Sequence, residues 1–139
     1  MQINRRILNP LSKSDFILLM AWALEKNGQS LKGRAEIQKL AFILHESFPD
    51  MNCPFIFESH YLGPFSYELL QELRYLSRRR ILNEKMIGKL PNIDYKYHLT
   101  SEGSIKVQNL IEVINIDFLN DFSDSIVKIN GSLQQRQNI

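Results

Sequence analysis

The segment over residues 61–82, with the sequence YLGPFSYELLQELRYLSRRRIL, constrains the fold of this chain more than any other. Gly63-Pro64 interrupts the preceding segment, because a proline restricts the residue before it to extended or turn geometry. Ser66 follows at a position where its hydroxyl can accept a hydrogen bond from the free amides of a first helical turn. The sequence therefore predicts a structural turn at Gly63, Pro64 and Ser66 that starts a helix.

The predicted helix over residues 66–79 has one apolar face. Leu69, Leu73 and Leu76 follow the i, i+4, i+7 spacing of a helix that buries one side. Three arginines, residues 78–80, lie at the end of this helix, and a β-like stretch that begins with Ile81 follows them. A helix, a basic junction and a strand in this order predict the third helix and the wing of a winged helix-turn-helix.

The rest of the chain is divided by its apolar periodicity and its turn residues. The spacing predicts four further helices, over residues 14–27, 34–48, 101–114 and 117–129. Residues 29–32 are a predicted extended link, residues 55–61 a predicted extended segment, and residues 81–99 a hairpin. The predicted fold is mainly α with a small β hairpin, a winged helix-turn-helix with two extra C-terminal helices. We expect an N-terminal arm at 1–13, a winged-helix core at 14–100, C-terminal helices at 101–130 and a flexible tail at 131–139.

Composition and hydropathy predict a cytoplasmic protein without a membrane span. The longest apolar window, residues 16–24, is far shorter than the roughly twenty residues that a transmembrane helix needs. The N-terminus, MQINRR, has no apolar run followed by a cleavage site. Cys53 is the only cysteine, so the chain cannot form an internal disulfide or a cysteine-rich zinc site.

The candidate catalytic side chains do not form a motif. The serines and histidines are scattered, and none lies in a nucleophile turn. The sequence has neither a glycine-rich phosphate loop nor paired metal-ligand spacing. We therefore predict a protein that is not an enzyme, with no catalytic residue, no metal and no cofactor.

Charge is distributed unevenly along a chain whose formal net charge is +2. Residues 74–89 carry six basic side chains and one acidic side chain, Glu84, whereas the last predicted helices are acidic. A basic helix end and wing predict contact with DNA phosphates, and polar residues on the helix predict contact with base edges. The candidate DNA-binding residues are Tyr67, Gln71, Arg74, Arg78, Arg79, Arg80, Lys85 and Lys89. On this interpretation the protein is a transcriptional regulator that binds duplex DNA.

A second interpretation is a non-enzymatic protein-interaction module. Glu68 and Glu72 are expected on the outward side of the same helix, where DNA phosphates would repel them. Arginines at a helix C-terminus also complement the helix dipole, so the basic cluster is as typical of a solvated face as of a DNA footprint. On this alternative the same surface binds a protein partner such as a toxin, or the chain forms a homodimer.

The order of motifs resembles a known group of winged-helix proteins. IQKLAFIL in the second predicted helix, the segment over residues 61–82 and the closing YKYHLTSEG together resemble the YwgA-like proteins. More distantly, they are similar to the Panacea domain of SocA-like antitoxins. The resemblance covers residues 18–103 and implies a winged-helix fold. The similarity to Panacea implies a protein that neutralises a toxin largely by protein contact.

Overall fold

The computed structural model describes residues 11–48, 54–61 and 63–137, and these form five helices and five short strands. In chain order they are α1 (Lys13–Glu25), β1 (Leu31–Lys32), α2 (Arg34–Ser47), β2 (Glu58–His60), β3 (Gly63–Phe65), α3 (Tyr67–Arg78), β4 (Leu82–Lys89), β5 (Asn92–Leu99), α4 (Ser101–Ile111) and α5 (Ile116–Gln137). This mixed α/β arrangement is compatible with the predicted, mainly α fold class. Most of the predicted N-terminal arm and Cys53 lie outside the described residues.

Helix α1 is the centre of the core because its sequence is apolar on every side. All of its residues from Phe16 to Leu24 are buried except Trp22, which is half-buried. A helix of this kind is stable only when it is covered all round. Helices α3, α4 and α5 and strands β1 and β5 provide that cover.

The start of α1 differs from the predicted start. Ser12 caps the helix, two residues before the predicted start at residue 14, and its hydroxyl accepts a hydrogen bond from the Asp15 amide at 3.0 Å. Leu11 is fully buried among the core residues. The last residues of the predicted arm at 1–13 therefore belong to the folded core, because a buried leucine and a helix cap both need ordered backbone.

Strands β1, β5 and β4 form an antiparallel sheet in that order. The hairpin of β4 and β5 confirms the hairpin predicted over residues 81–99. The short strand β1, predicted only as an extended link, is paired to β5 with Leu31 opposite Tyr97. Both of these side chains are fully buried, so the face of the sheet that carries them packs against the core.

A separate hairpin, β2 and β3, connects α2 to α3. The predicted turn is corrected here, because Gly63 and Pro64 lie in strand β3. A proline is tolerated in this strand since β3 pairs with β2 alone among the described strands, and the missing amide can lie on the other side. Gly63 has a φ of 118°, in the region that favours glycine. The extended segment predicted at 55–61 is a strand only over Glu58–His60.

Helix α4 begins where the sequence predicts. The Thr100 hydroxyl accepts a hydrogen bond from the amide of Gly103 at 3.1 Å and donates to the carbonyl of Arg80 at 2.7 Å. Gly103 lies so close to the carbonyl oxygen of Ile81 that a Cβ atom there would overlap it. The start of α4 is therefore packed directly on the junction between α3 and β4.

Helix α5 is longer than predicted. It continues through Gly131 to Gln137, so the flexible tail predicted at 131–139 is wrong for residues 131–137. The extension is stabilised by tertiary contacts: Leu133 is buried, and the side chain of Gln134 donates to the carbonyl of Lys32 at 3.1 Å. Residues 138–139 lie outside the described part of the chain.

Candidate functional site

The candidate site is built on α3, whose first turn is fixed by a local cap. The hydroxyl of Ser66 accepts a hydrogen bond from the Leu69 amide at 3.2 Å, which confirms the predicted N-cap. From this start, Leu69, Leu73 and Leu76 are buried in the core, as their spacing predicts. Because an α-helix has about 3.6 residues per turn, the burial of these three leucines also determines which residues lie on the opposite side of α3.

Four of the predicted DNA-binding residues share that opposite side. Tyr67, Gln71, Arg74 and Arg78 are exposed, and they follow one another at spacings of three and four residues. We call these four residues the outward face of α3. This face carries two positive charges and no negative charge.

The two glutamates of α3 lie on its flank and not on the outward face. The ammonium group of Lys13 contacts a carboxylate oxygen of Glu68 at 2.7 Å, and the hydroxyl of Ser14 donates to Glu72 at 2.6 Å. The hydrogen bond from Lys13 holds the pKa of Glu68 below its usual range. Both carboxylates therefore point toward the start of α1, which corrects the expectation that they occupy the outward side.

The three consecutive arginines at the end of α3 point in different directions. Arg78 belongs to the outward face, whereas the guanidinium of Arg79 lies 5.2 Å from the ring centre of Tyr75 on the flank. Cations over an aromatic ring are attracted by its quadrupole, so this contact orients Arg79 along the helix surface. The arginine run of the sequence is thus not one continuous patch.

Arg80 ends α3 in a backbone conformation that glycine usually adopts. Its φ is 58°, and the amides of Arg80 and Ile81 donate back to the carbonyls of Ser77 and Leu76 at 3.1 and 2.9 Å. A residue with a side chain costs about 1–2 kcal/mol in this left-handed region. Backbone strain of this kind is concentrated at functional sites, which makes Arg80 a candidate functional residue.

An open cleft of about 750 Å³ lies between the C-terminal half of α3 and strand β4. It is basic, because Arg34, Arg74, Arg78 and Arg80 line it together with a single acidic residue, Glu84. Asn83 and His98 line it from the sheet. The sequence pattern does not predict Asn83, His98 or Arg34 as residues of the site. Only the tertiary structure brings these three side chains to α3.

The floor of the cleft is held by a network of three side chains. Arg34 Nε donates to the hydroxyl of Tyr97 at 3.2 Å, and this hydroxyl donates to Glu84 at 2.8 Å. The guanidinium of Arg34 also contacts Glu84 at 3.3 Å and lies 4.0 Å from the ring centre of Tyr95. Burial raises the pKa of Tyr97 to about 12, so its hydroxyl stays protonated and donates to the carboxylate near neutral pH. The network ties β4 and β5 to the first residue of α2.

The two lysines predicted for the site on β4, Lys85 and Lys89, are exposed. They alternate with Leu82 and Glu84 along the strand, so they lie on the face of the sheet that points away from Tyr97. The structure therefore separates the predicted residues. Arg74, Arg78 and Arg80 line the cleft, and Tyr67 and Gln71 continue the outward face of α3 beyond it. Arg79 lies on the flank of α3, and the two lysines lie on the outer face of the sheet.

No cluster of three or more potential metal-ligating side chains is found within the described ranges. None of the described helices is long and apolar enough to cross a membrane. No family model matches the sequence, and the comparison with curated proteins returns no match. The resemblance to YwgA-like and Panacea proteins stays a prediction from the motifs.

Proposed function

We propose that the protein is a winged-helix transcriptional regulator that binds duplex DNA and is not an enzyme. The order of elements supports this proposal: α1, β1, α2 and α3 are followed by the hairpin of β4 and β5, which pairs back onto β1. In this assignment α3 enters the major groove, and β4 and β5 form the wing that approaches the DNA backbone. An additional hairpin, β2 and β3, replaces the tight turn between the two helices of a minimal helix-turn-helix.

The observation that carries the proposal is the charge of the outward face of α3. Hydrogen bonds to α1 keep Glu68 and Glu72 on the flank, which removes the main objection to DNA binding. Arg74 and Arg78 then meet the duplex without an adjacent carboxylate on the same face. The attraction to phosphates is independent of sequence and arises from the release of condensed counterions.

The polar residues of the same face supply the means to read bases. Gln71 can pair with adenine and Arg74 with guanine in the major groove, because each side chain makes two parallel hydrogen bonds to the respective base edge. Tyr67 lies one helical turn earlier and extends the contact surface. Arg78 and Arg80 then meet phosphates at the end of the helix.

Salt-dependent binding tests the proposal directly. Fluorescence anisotropy of a labelled mixed-sequence duplex is measured at several salt concentrations with the wild type and with Arg78→Ala. The variant should flatten the log-log salt dependence by about one unit, because one phosphate contact is lost. Lys128→Gln, an exposed change on α5, is the control for the loss of one positive charge and should leave the slope unchanged. Absence of salt-sensitive binding by the wild type would contradict the proposal.

A substitution of Arg80 provides a second test, because it should change the stability of the free protein and its affinity for DNA in opposite directions. Arg80→Gly relieves the left-handed backbone strain, so the free protein should become more stable by about 1 kcal/mol in urea denaturation. If its side chain contacts DNA, the same variant should bind the duplex more weakly. A gain in stability with unchanged DNA affinity would remove Arg80 from the binding surface.

A protein-interaction module is the second candidate function, and exposed apolar side chains favour it. Ile56 and Tyr61, on either side of strand β2, are 75% and 93% exposed, and Tyr67 in the first turn of α3 is 69% exposed. Exposed apolar side chains that form a patch are typical of surfaces that bind proteins. A toxin or a second copy of the chain would suit such a surface. Sedimentation velocity of the wild type and of Tyr61→Ser tests the homodimer, which the variant should weaken.

A further inference from the structure

Three lysines stand side by side on the outer face of the three-stranded sheet. Lys32 on β1 is directly opposite Lys96 on β5, and Lys96 is directly opposite Lys85 on β4. Their neighbours along the strands, Leu31 and Tyr97, are buried on the other face, so the three lysines point away from the core. We call Lys32, Lys96 and Lys85 the lysine row.

The lysine row is unfavourable for the isolated fold. Side chains directly opposite each other on neighbouring antiparallel strands lie about 5 Å apart, and like charges at such positions are destabilising. No described carboxylate forms an ion pair with any of the three lysines. Asp94, the acidic residue next to Lys96 on this face, instead accepts hydrogen bonds from the amides of Arg34 and Tyr95 at 2.9 and 2.8 Å.

Protection of sheet edges explains only part of the lysine row. Lysines on edge strands prevent pairing with another chain, and this accounts for Lys32 on β1 and Lys85 on β4. Lys96, however, lies in the central strand β5, which is paired on both sides and needs no such protection. Edge protection therefore does not account for the central lysine.

The lysine row is continuous with the basic cleft beside α3. The next cross-strand pair on the same face is Asn83 and His98, and both residues line the cleft with Arg74 and Arg78. We propose that the lysine row binds the sugar-phosphate backbone of the duplex whose groove receives α3. This inference rests on the proposed function. It adds Lys32 and Lys96 to the DNA-binding surface and extends the backbone contact from the wing, β4 and β5, to strand β1.

The dimensions of the row fit such a ligand. Three neighbouring strands place the outer two lysines about 10 Å apart. One strand of B-DNA presents one phosphate per about 3.4 Å of helix axis, so a row of this length spans more than one phosphate. Lysine carries its charge on a long, flexible stem, so the three ammonium groups can reach neighbouring phosphates.

Two measurements on the same variants test the inference. Two variants of the lysine row, Lys96→Gln and the triple variant Lys32→Gln/Lys85→Gln/Lys96→Gln, are compared with the wild type. The control is Lys128→Gln, which removes one charge from α5. In thermal denaturation of the free protein, both lysine-row variants should have higher midpoints, because repulsion across the strands is removed. In titrations of a labelled mixed-sequence duplex, the salt slope should fall by about 0.9 per lost contact, or about 2.7 for the triple variant.

The outcomes separate this inference from the proposed function. Higher midpoints together with a flatter salt slope support the lysine row as a phosphate-binding surface. Higher midpoints with the slope of the wild type, while Arg78→Ala still flattens it, overturn the inference and leave the proposed function intact. Lack of salt-sensitive binding by the wild type overturns both, and an acidic protein then becomes the ligand to examine at this face.

Discussion

The side chain of Gln38 binds both polar backbone groups of Ser66. The Ser66 amide donates to Gln38 Oε1 at 2.8 Å, and Gln38 Nε2 donates to the Ser66 carbonyl at 3.0 Å. Both residues are buried, and Ser66 is also the N-cap of α3. Through this double hydrogen bond, α2 determines where α3 starts and therefore how its outward face is presented.

Gln38→Ala should destabilise the protein strongly. The substitution leaves the buried amide of Ser66 without a partner, which costs about 1–3 kcal/mol. It also removes one of the two hydrogen bonds of the Ser66 carbonyl, which keeps the bond from the Leu70 amide at 3.3 Å. We expect the free energy of unfolding, measured by urea denaturation, to fall by about 2–4 kcal/mol. Gln71→Ala, on the exposed side of α3, is the matched control and should change it by less than about 0.5 kcal/mol. Equal effects of the two variants would show that the double hydrogen bond does not anchor α3.

Two helical glycines should respond to alanine in opposite directions. At Gly103 the added Cβ would overlap the carbonyl oxygen of Ile81, and a backbone atom cannot rotate away. Gly103→Ala should therefore destabilise the protein by about 1–3 kcal/mol. At Gly131 no other atom is near the added group, so Gly131→Ala should stabilise α5 by about 0.5–1 kcal/mol. Thermal denaturation measures both shifts, and a destabilising effect of Gly131→Ala would contradict the helical extension of α5.

The raised pKa of Tyr97 predicts that the folded protein loses stability at high pH. Its pKa is raised to about 12 in the folded protein, from about 10 in an unfolded chain. Because the folded state favours the protonated hydroxyl, the contribution is complete below about pH 10 and is lost as the pH rises from about 10 to about 12. Its size is at most about 2–3 kcal/mol, since one pKa unit corresponds to 1.36 kcal/mol. Urea denaturation at a series of alkaline pH values measures this dependence.

Tyr97→Phe provides the control for that measurement, because lysines and other tyrosines titrate in the same range. The variant keeps the buried ring and removes only the ionisable hydroxyl. Its stability should fall less steeply than that of the wild type between about pH 10 and 12. It should also be less stable near neutral pH by about 0.5–1.5 kcal/mol, because the hydrogen bond to Glu84 is lost. Parallel curves for the two proteins would rule out Tyr97 as the titrating group.

The sequence by itself determined the elements whose causes are local. The buried leucines of α3, the cap at Ser66, the start of α4 at Ser101, and the hairpin of β4 and β5 were all predicted, since they depend on residues within a few positions of one another. Helical periodicity also indicated that polar residues of α3 face away from the core, but the outward position expected for Glu68 and Glu72 was wrong. The confirmed features follow from backbone geometry and from side chains that satisfy nearby amides.

Only the tertiary structure decided the features that depend on distant segments. Lys13 and Ser14 of α1 hold the glutamates of α3 on its flank, and no local pattern relates residues more than fifty positions apart. The same holds for the lysine row, which exists only because β1 pairs with β5. Helix α5 likewise continues past Gly131 because its last turns contact β1, a stabilisation that the helix propensity of glycine alone opposes. The local sequence pattern thus determined which helix presents the candidate site. The long-range contacts determined the charge of the surface that this helix presents.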